Sequence, residues 1–401
     1  MKTILFISIN RHQRQYFRAL GTYLSKNYHI RYVHYVAANV LDLFQQPESP
    51  EEVGFTQPEI NEITSFLRIK SQYRNFGFLR RHLHSRKVLE NRAYTAIRYF
   101  QKYITKNNVD LVCIWNGNLV PLASAVRVAH KLGKKTLTFE NGLLPNTTTV
   151  DPQGVNNKNS LVGLSRDFYE KVEPDTEKLR ALYEEKPVLR ALKSKWYHGI
   201  FRGKTKGVPE QVEMPKRYIF MPFQVHDDTQ VLLYSPIKTM SEFVAAVVPA
   251  VEEYNKQYAD DVWIVAKEHP SDFGRTDYSS LEKQYYGKKI LFLKYYPTPA
   301  LIKDAQAIIT LNSSVGIEAL MQHKQVITLG QAFYNVPGVV MHVESISNLS
   351  NAIKIINLEP EQELIDKFLY YLRYNYLVDG SWRLPDESHF QNVEIKIHSI
   401  L

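Results

Sequence analysis

Short apolar runs alternate with amphipathic stretches in two separate series, and this double alternation narrows the possible folds more than any other feature of the chain. In the first half, the runs Ile4–Ile9, Ile30–Val36, Leu111–Trp115 and Thr136–Phe139 are separated by helical spacing near His12–Lys26, Lys87–Thr105 and Val120–Lys131. Near-continuous apolar runs suit strands buried on both faces of a parallel sheet, and intervening helices predict βαβ units. The stretch from Pro47 to Phe78 carries no clear period and reads as an irregular insertion. A second series opens at Tyr218–Phe223 and continues with a helix at Met240–Tyr258, a strand at Val262–Ala266, a helix at Ser279–Tyr285 and a strand at Ile290–Leu293. It closes with a helix at Thr298–Asp304, a strand at Ala307–Leu311, a helix at Gly316–Gln322 and a strand at Val326–Leu329.

Two such series fit a chain of 401 residues, which is too long for one compact core and comfortable for two of roughly 200 residues. The expected organisation is α/β in the GT-B manner, with two Rossmann-like domains facing each other across a cleft. The expected boundaries are an N-terminal Rossmann-like domain at 1–165, a connection at 166–216, a C-terminal Rossmann-like domain at 217–360, and a crossover helix and tail at 361–401. The helix Glu361–Leu377 is expected to pack back on the N-terminal domain. A single cysteine, Cys113, lies in an apolar run and reads as a buried structural thiol. The N-terminal apolar run is too short for a signal peptide and no run approaches a membrane span, so the expected location is the cytoplasm. Net charge is +9, which favours anionic partners. Seven Lys or Arg and no acid lie between Arg68 and Lys87, interleaved with Tyr73, Phe76 and Phe78. That segment is either a solvated helical face or a docking surface for the inner membrane or an anionic acceptor. No nucleic-acid-reading motif accompanies it.

Polar clusters sit where strands end, the place where open α/β sheets bind ligands. Glu140 follows the strand Thr136–Phe139 and precedes Asn141 and Gly142, a position for a general base or for a plain turn. A turn-rich loop from Asp151 through Gly154 to Asn156 has the composition of a substrate-contacting loop. After Tyr218–Phe223 come Gln224, His226, Asp227 and Asp228; the adjacent aspartates are not the spaced pair that holds a divalent ion. They suit a nucleophile or a sugar-orienting group, or else a solvated turn. Lys267 and His269 follow Val262–Ala266 and can neutralise a departing phosphate. Asn312, Ser313 and Ser314 precede the helix at Gly316 and suit either a small phosphate cradle or simple capping. No zinc pattern, P-loop or Ser-His-Asp spacing points to another chemistry, and no metal site is expected.

In combination these motifs are specific. The chain resembles the retaining β-Kdo glycosyltransferases of capsule-polysaccharide and lipopolysaccharide O-antigen biosynthesis. The likeness rests on Phe139-Glu140-Asn141-Gly142, Asp151 with Gly154-Val155-Asn156, Gln224-Val225 with Asp228, and Ser235-Pro236. It extends through Lys267-Glu268-His269-Pro270, Asn312-Ser313-Ser314-Val315-Gly316 with Glu318-Ala319-Leu320, the run Gln325–Gly330, and Tyr376-Leu377-Val378-Asp379-Gly380. The matches cover about residues 110 to 380; residues 1–110 carry none, and acceptor choice is expected there. The His-Pro and Ser-Ser pairs are also similar to those of GT-B sialyltransferases, which share a CMP-sugar donor.

The resemblance implies a metal-independent, cofactor-free transfer of Kdo from CMP-β-Kdo to a lipid-linked glycan acceptor by double displacement. It implies donor contacts from Gln224, Lys267, Asn312, Ser313 and Ser314, with His269 stabilising the leaving phosphate. Asp228 is the implied nucleophile, Asp227 its rival, and Glu140 the base for the acceptor hydroxyl. Asn141, Asp151, Asn156 and Asp227 are the expected substrate contacts. Two other readings stay open: a GT-B transferase of another CMP- or CDP-linked donor, of sialyltransferase or glycerophosphotransferase type, and a non-catalytic glycan- or membrane-binding component of an assembly complex.

Overall fold

The computed structural model describes residues 1–35, 49–73, 83–186 and 211–401. In chain order the elements are β1 (Thr3–Ser8), α1 (Arg11–Leu24), β2 (His29–His34), α2 (Gln57–Tyr73), α3 (Arg86–Lys106) and β3 (Leu111–Trp115). Then come α4 (Leu122–Lys131), β4 (Lys135–Asn141), β5 (Thr147–Asp151), α5 (Arg166–Glu170), α6 (Thr176–Glu184), β6 (Tyr218–Pro222), α7 (Thr229–Tyr234) and α8 (Met240–Tyr258). They are followed by β7 (Trp263–Lys267), α9 (Ser279–Gln284), β8 (Ile290–Leu293), α10 (Thr298–Asp304), β9 (Ala307–Thr310), α11 (Val315–Leu320) and β10 (Gln325–Thr328). The series ends with β11 (Met341–His342), α12 (Leu349–Ala352), α13 (Gln362–Tyr371), a π-helical turn at Leu372–Tyr376, β12 (Val378–Asp379) and α14 (Glu387–His398).

Two compact units result, one of Met1–Ser160 with Arg373–Leu401 and one of Leu161–Leu372. The first holds a six-stranded sheet in the order β12-β5-β4-β3-β1-β2. Its β2-β1-β3-β4 stretch is parallel, while β5 and β12 are antiparallel additions. Because strand side chains alternate, Leu5 and Ile7 face the core built with α2, α3 and α4, and Ile4 and Phe6 face the one built with α1 and α14. Cys113 is buried in the second of these cores, and burial pushes its thiol pKa well up. The expected strand at Ile30–Val36 is the sheet's edge, with only Val33 of β2 buried. Part of the expected irregular insertion is the ordered helix α2, whose Ile60, Ile63 and Phe66 are buried. Within the basic segment, residues 74–82 lie outside the described residues. Of its described cations, Arg86 pairs with Glu90 at 2.8 Å and Arg68 donates to Asn61 Oδ1 at 3.1 Å.

In the second unit all pairings are parallel and the order is β11-β10-β9-β6-β7-β8, a Rossmann-like arrangement that reverses direction between β6 and β9. Ile219 and Met221 of β6 pack with Phe243, Val244 and Val247 of α8, a helix opened by a capping box between Thr239 and Glu242. Two boundaries differ from expectation. The start of the supposed connection forms α5 and α6, which pack on α13: Tyr169 meets Phe368 and Tyr371, and Tyr183 donates to Asp366 at 2.5 Å. Much of the supposed crossover helix is therefore α13 and belongs to the second unit, and the return to the first begins at Arg373. The polar stretches Lys193–Trp196 and Gly203–Gly207 lie outside the described residues. Among the described residues, no helix is long and apolar enough to cross a membrane.

Candidate functional site

In the second unit the reversal of winding between β6 and β9 opens a crevice at the strands' carboxyl ends. Four expected positions lie along that edge: the segment after β6, Lys267 to Pro270 at the end of β7, Asn312 to Ser314 after β9, and Gly330 after β10. The crevice is braced by buried amides. Gln224 donates to Asn312 Oδ1 at 3.1 Å and accepts from the Asn312 main-chain N–H at 3.1 Å. Asn312 Nδ2 donates in turn to the carbonyls of Gln230 at 2.9 Å and Tyr234 at 3.1 Å. Both side chains are buried, and these two expected donor-contact residues hold strand ends together.

The adjacent aspartates are held differently. Asp227 is buried and bonded to Arg275 at 2.9 Å. Asp228 is half-buried and caps α7, its Oδ1 accepting from the Gln230 N–H at 2.8 Å. His226 donates through Nδ1 to Asp272 at 2.9 Å, and its main-chain N–H reaches the other Asp272 oxygen at 2.9 Å. Arg275 lies 3.6 Å from the fully buried Asp272 and so bridges both acids. Asp272 and Arg275 were missed as site-forming residues, and His226 was named in its polar cluster without a role. The available signal was an acid and an arginine three and six residues after His269, spaced to fold back on the paired aspartates.

His269 accepts the Ser271 N–H on Nδ1 at 3.1 Å, so its neutral ring carries the proton on Nε2 and presents a donor there. Burial lowers its pKa, with Lys267 adding to the effect, while the Asp272 and Asp228 carboxylates oppose it. Lys267 is buried, its Nζ donating to the Glu268 carbonyl at 3.3 Å. The expected phosphate cradle is narrower than the pattern Asn312-Ser313-Ser314 suggests. The N–H of Ser313 is bound by Thr310, that of Val315 by Ser313 Oγ, and that of Gly316 by the Ser313 carbonyl. Ser314 keeps an exposed hydroxyl with no partner among the described residues. Gly316 is required here because a Cβ would lie 2.5 Å from the Tyr334 hydroxyl, which donates to the Ser313 carbonyl at 2.5 Å.

In the first unit, Glu140 is half-buried at the end of β4 and held by three neutral amide donors. They are Asn116 Nδ2 at 2.8 Å, the Asn141 N–H at 2.9 Å and Asn141 Nδ2 at 3.0 Å. Asn116, missed in the sequence, sits at φ +64° just after β3 and also receives Asn118 Nδ2 at 2.9 Å. The Asn141 side-chain oxygen accepts from Trp382 Nε1 at 2.9 Å and Arg383 at 3.1 Å, so this exposed residue is tied to the C-terminal return. Asp151 is corrected. Its carboxylate is fully buried and accepts from the N–H groups of Gln153, Gly154 and Ser160 and from the Ser160 hydroxyl, all at 2.7–3.0 Å. It organises the loop and has no surface to offer a substrate. Asn156 is half-exposed with φ +58°, and its side chain has no partner among the described residues. Among those residues, no three His, Cys, Asp or Glu side chains are gathered to hold a metal ion.

Comparison with known proteins places this geometry in a family. Residues 176–382 match the family described as capsule polysaccharide biosynthesis protein. The chain is 32% identical over 302 residues to Protein FixF of Sinorhizobium fredii, covering 73% of this chain and 67% of that one. It is 27% identical over 302 residues to the capsule polysaccharide export protein KpsS of Escherichia coli, covering 64% and 75%. Among solved structures it is similar to the beta Kdo 2,7 transferase of Thermosulfurimonas dismutans KpsC, at 17% identity and TM-score 0.45 over 80% of this chain and 98% of that one. The family match spans α6 through Trp382 and includes the whole braced crevice from Gln224 to Gly330, so the chain belongs to the capsule polysaccharide biosynthesis protein family.

Proposed function

We propose that this chain is a metal-independent glycosyltransferase that moves Kdo, with retention, from CMP-β-Kdo to a glycan acceptor during synthesis of a bacterial surface polysaccharide, capsule or O-antigen. The observation that carries the reading is the meeting, at one sheet edge, of His269 with its Nε2–H donor, the buried Lys267, the exposed Ser314 hydroxyl and the Asp228 carboxylate. Lys267, Ser313 and Ser314 would bind the phosphate, and His269 Nε2–H would hydrogen-bond it as it leaves. In the first displacement an Asp228 oxygen attacks the anomeric carbon while the carbon–oxygen bond to phosphate breaks, CMP departing with the bonding pair. In the second, the acceptor hydroxyl gives its proton to Glu140 and attacks the same carbon, releasing Asp228. Asp227 is assigned a positioning role, because Arg275 already claims its carboxylate. The proposed setting is the cytoplasmic face of the inner membrane, where a lipid-linked acceptor is reached.

The test is calorimetric titration of CMP, CDP, UDP and GDP in EDTA, followed by CMP release from CMP-Kdo with an acceptor glycan. Selective CMP binding, weakened in His269→Ala, with turnover surviving EDTA, is the expected result. Preference for UDP or GDP, or turnover abolished by chelation, would sink it.

A further inference from the structure

Away from the proposed reaction centre, a cavity of about 370 Å³ opens in the first unit between the π-helical turn Leu372–Tyr376 and α14. Seven side chains matter in its lining: Arg373, Tyr374, Tyr376, Asp379, Asn392, Lys396 and Ser399. A π-turn shifts the helical register by one residue, and such turns concentrate at functional sites. Arg373 stacks over Tyr374 at 5.1 Å and pairs with Asp379 at 2.8 Å. Lys396 has no such pairing: among the described residues no carboxylate lies within ion-pair distance of its ammonium, whose nearest aromatic is Tyr376, 6.0 Å to the ring centre. Its stem is half-buried, and burial lowers its pKa, opposed only by the distant Asp151. A partly desolvated cation without a counter-ion is costly unless a ligand supplies one.

From this geometry we infer that the cavity is a subsite for one acidic sugar residue of a glycan chain. The inference rests on the reading of the chain as a glycan-handling transferase. The volume lies in the range of small-molecule pockets. Lys396 would meet the sugar carboxylate, the Asn392 amide and the Ser399 hydroxyl its ring hydroxyls, and Tyr374 its apolar face. An anionic bilayer is a poorer fit, because the cavity is concave and one of its two cations is already paired.

The experiment titrates the full chain with trigalacturonate, a sialic acid trimer and neutral maltotriose. It uses the wild type, Lys396→Met, Lys396→Arg and the cavity-filling Ser399→Tyr, each first checked for an unchanged melting temperature. At least one acidic trimer should bind the wild type and bind Lys396→Met about tenfold more weakly. Lys396→Arg should retain most of the affinity and Ser399→Tyr should lose it, with maltotriose indifferent to Lys396. The inference is overturned if neither acidic trimer binds, or if Lys396→Met binds them as well as the wild type. It is equally overturned if Lys396→Met loses only binding to phosphatidylglycerol vesicles. CMP titration and CMP release from CMP-Kdo by the same variants separate the two readings: acidic-glycan binding in a chain that neither binds CMP nor releases it leaves the subsite standing and removes the transferase.

Discussion

Asp228 performs two tasks that substitution can separate. It caps α7 through Oδ1, and it is the proposed nucleophile. Asparagine caps a helix about as well as aspartate, whereas alanine at a cap costs about 1 kcal/mol. Asp228→Asn should therefore keep the wild-type urea midpoint yet lose transfer by about 10³-fold or more. Asp228→Ala should lose both. Turnover persisting in Asp228→Asn would show that the carboxylate does not form the covalent adduct. The neighbouring His269 gives an independent reading of the same carboxylate. Burial holds its pKa below the ordinary 6.5, and Asp228 is one of two acids that oppose the shift. In an NMR titration, Asp228→Asn should move the His269 midpoint further down; a midpoint unchanged or raised would contradict their proximity. Several residues at this scale were legible and several were not. Polar groups after strand ends read alike in sequence, whether they face a ligand or brace the backbone. Gln224, Asn312 and Asp151 brace it, and each is recognisable only once its partners from elsewhere in the fold are known.

At the scale of elements, the legible strands are those whose both faces are apolar, such as β3 and β6. The strand β5, Thr-Thr-Thr-Val-Asp, escaped notice because threonine is polar in a sequence. Its hydroxyls are satisfied internally: Thr147 bonds the Leu144 carbonyl, Thr148 that of Gly380 and Thr149 that of Asn141. The helix α2 was obscured by Pro47, Pro50, Gly54 and Pro58 near its start, although its apolar residues follow a helical period. The turn joining β4 to β5 explains the glycine in Glu140-Asn141-Gly142. A Cβ on Gly142 would lie 2.2 Å from the Thr147 carbonyl oxygen, which belongs to backbone and cannot swing aside. Gly142→Ala should destabilise the chain by about 1–3 kcal/mol in a urea melt. It should also disturb the Asn141 amides that hold Glu140. A midpoint equal to wild type would mean that the hairpin yields more easily than its contacts suggest.

At the scale of the whole molecule, pH dependence and connectivity carry the predictions. His269, His389 and His130 all have pKa values lowered from 6.5, in each case chiefly by burial. His389 donates through Nδ1 to the Asp379 carbonyl and accepts the Tyr16 hydroxyl on Nε2 at 2.9 Å, an arrangement that needs the neutral ring. As pH falls below about 6.5, the unfolded chain takes up protons that the folded one refuses. Stability should be full above about pH 7, decline as pH drops, and level off once below the folded-state values. Urea midpoints that hold steady from pH 7.5 to 5 would refute this. A chain ended at Leu372 should keep the second unit resistant to protease, while the first, lacking β12 and α14, becomes readily cut.

That first unit is split in chain order: its sheet begins with Thr3 and is finished by Val378–Asp379, with Trp382 and α14 sealing its aromatic core. During synthesis, the roughly 200 residues of the second unit must leave the ribosome before the finishing pieces exist. At ordinary elongation rates that delay is about 10–40 s. Throughout it, the outer edge of β5 stands unpaired and the face of α1 that α14 will cover stays bare. The nascent chain thus shows an open strand edge and a bare apolar face over this interval, and the domain translated first is the one completed last.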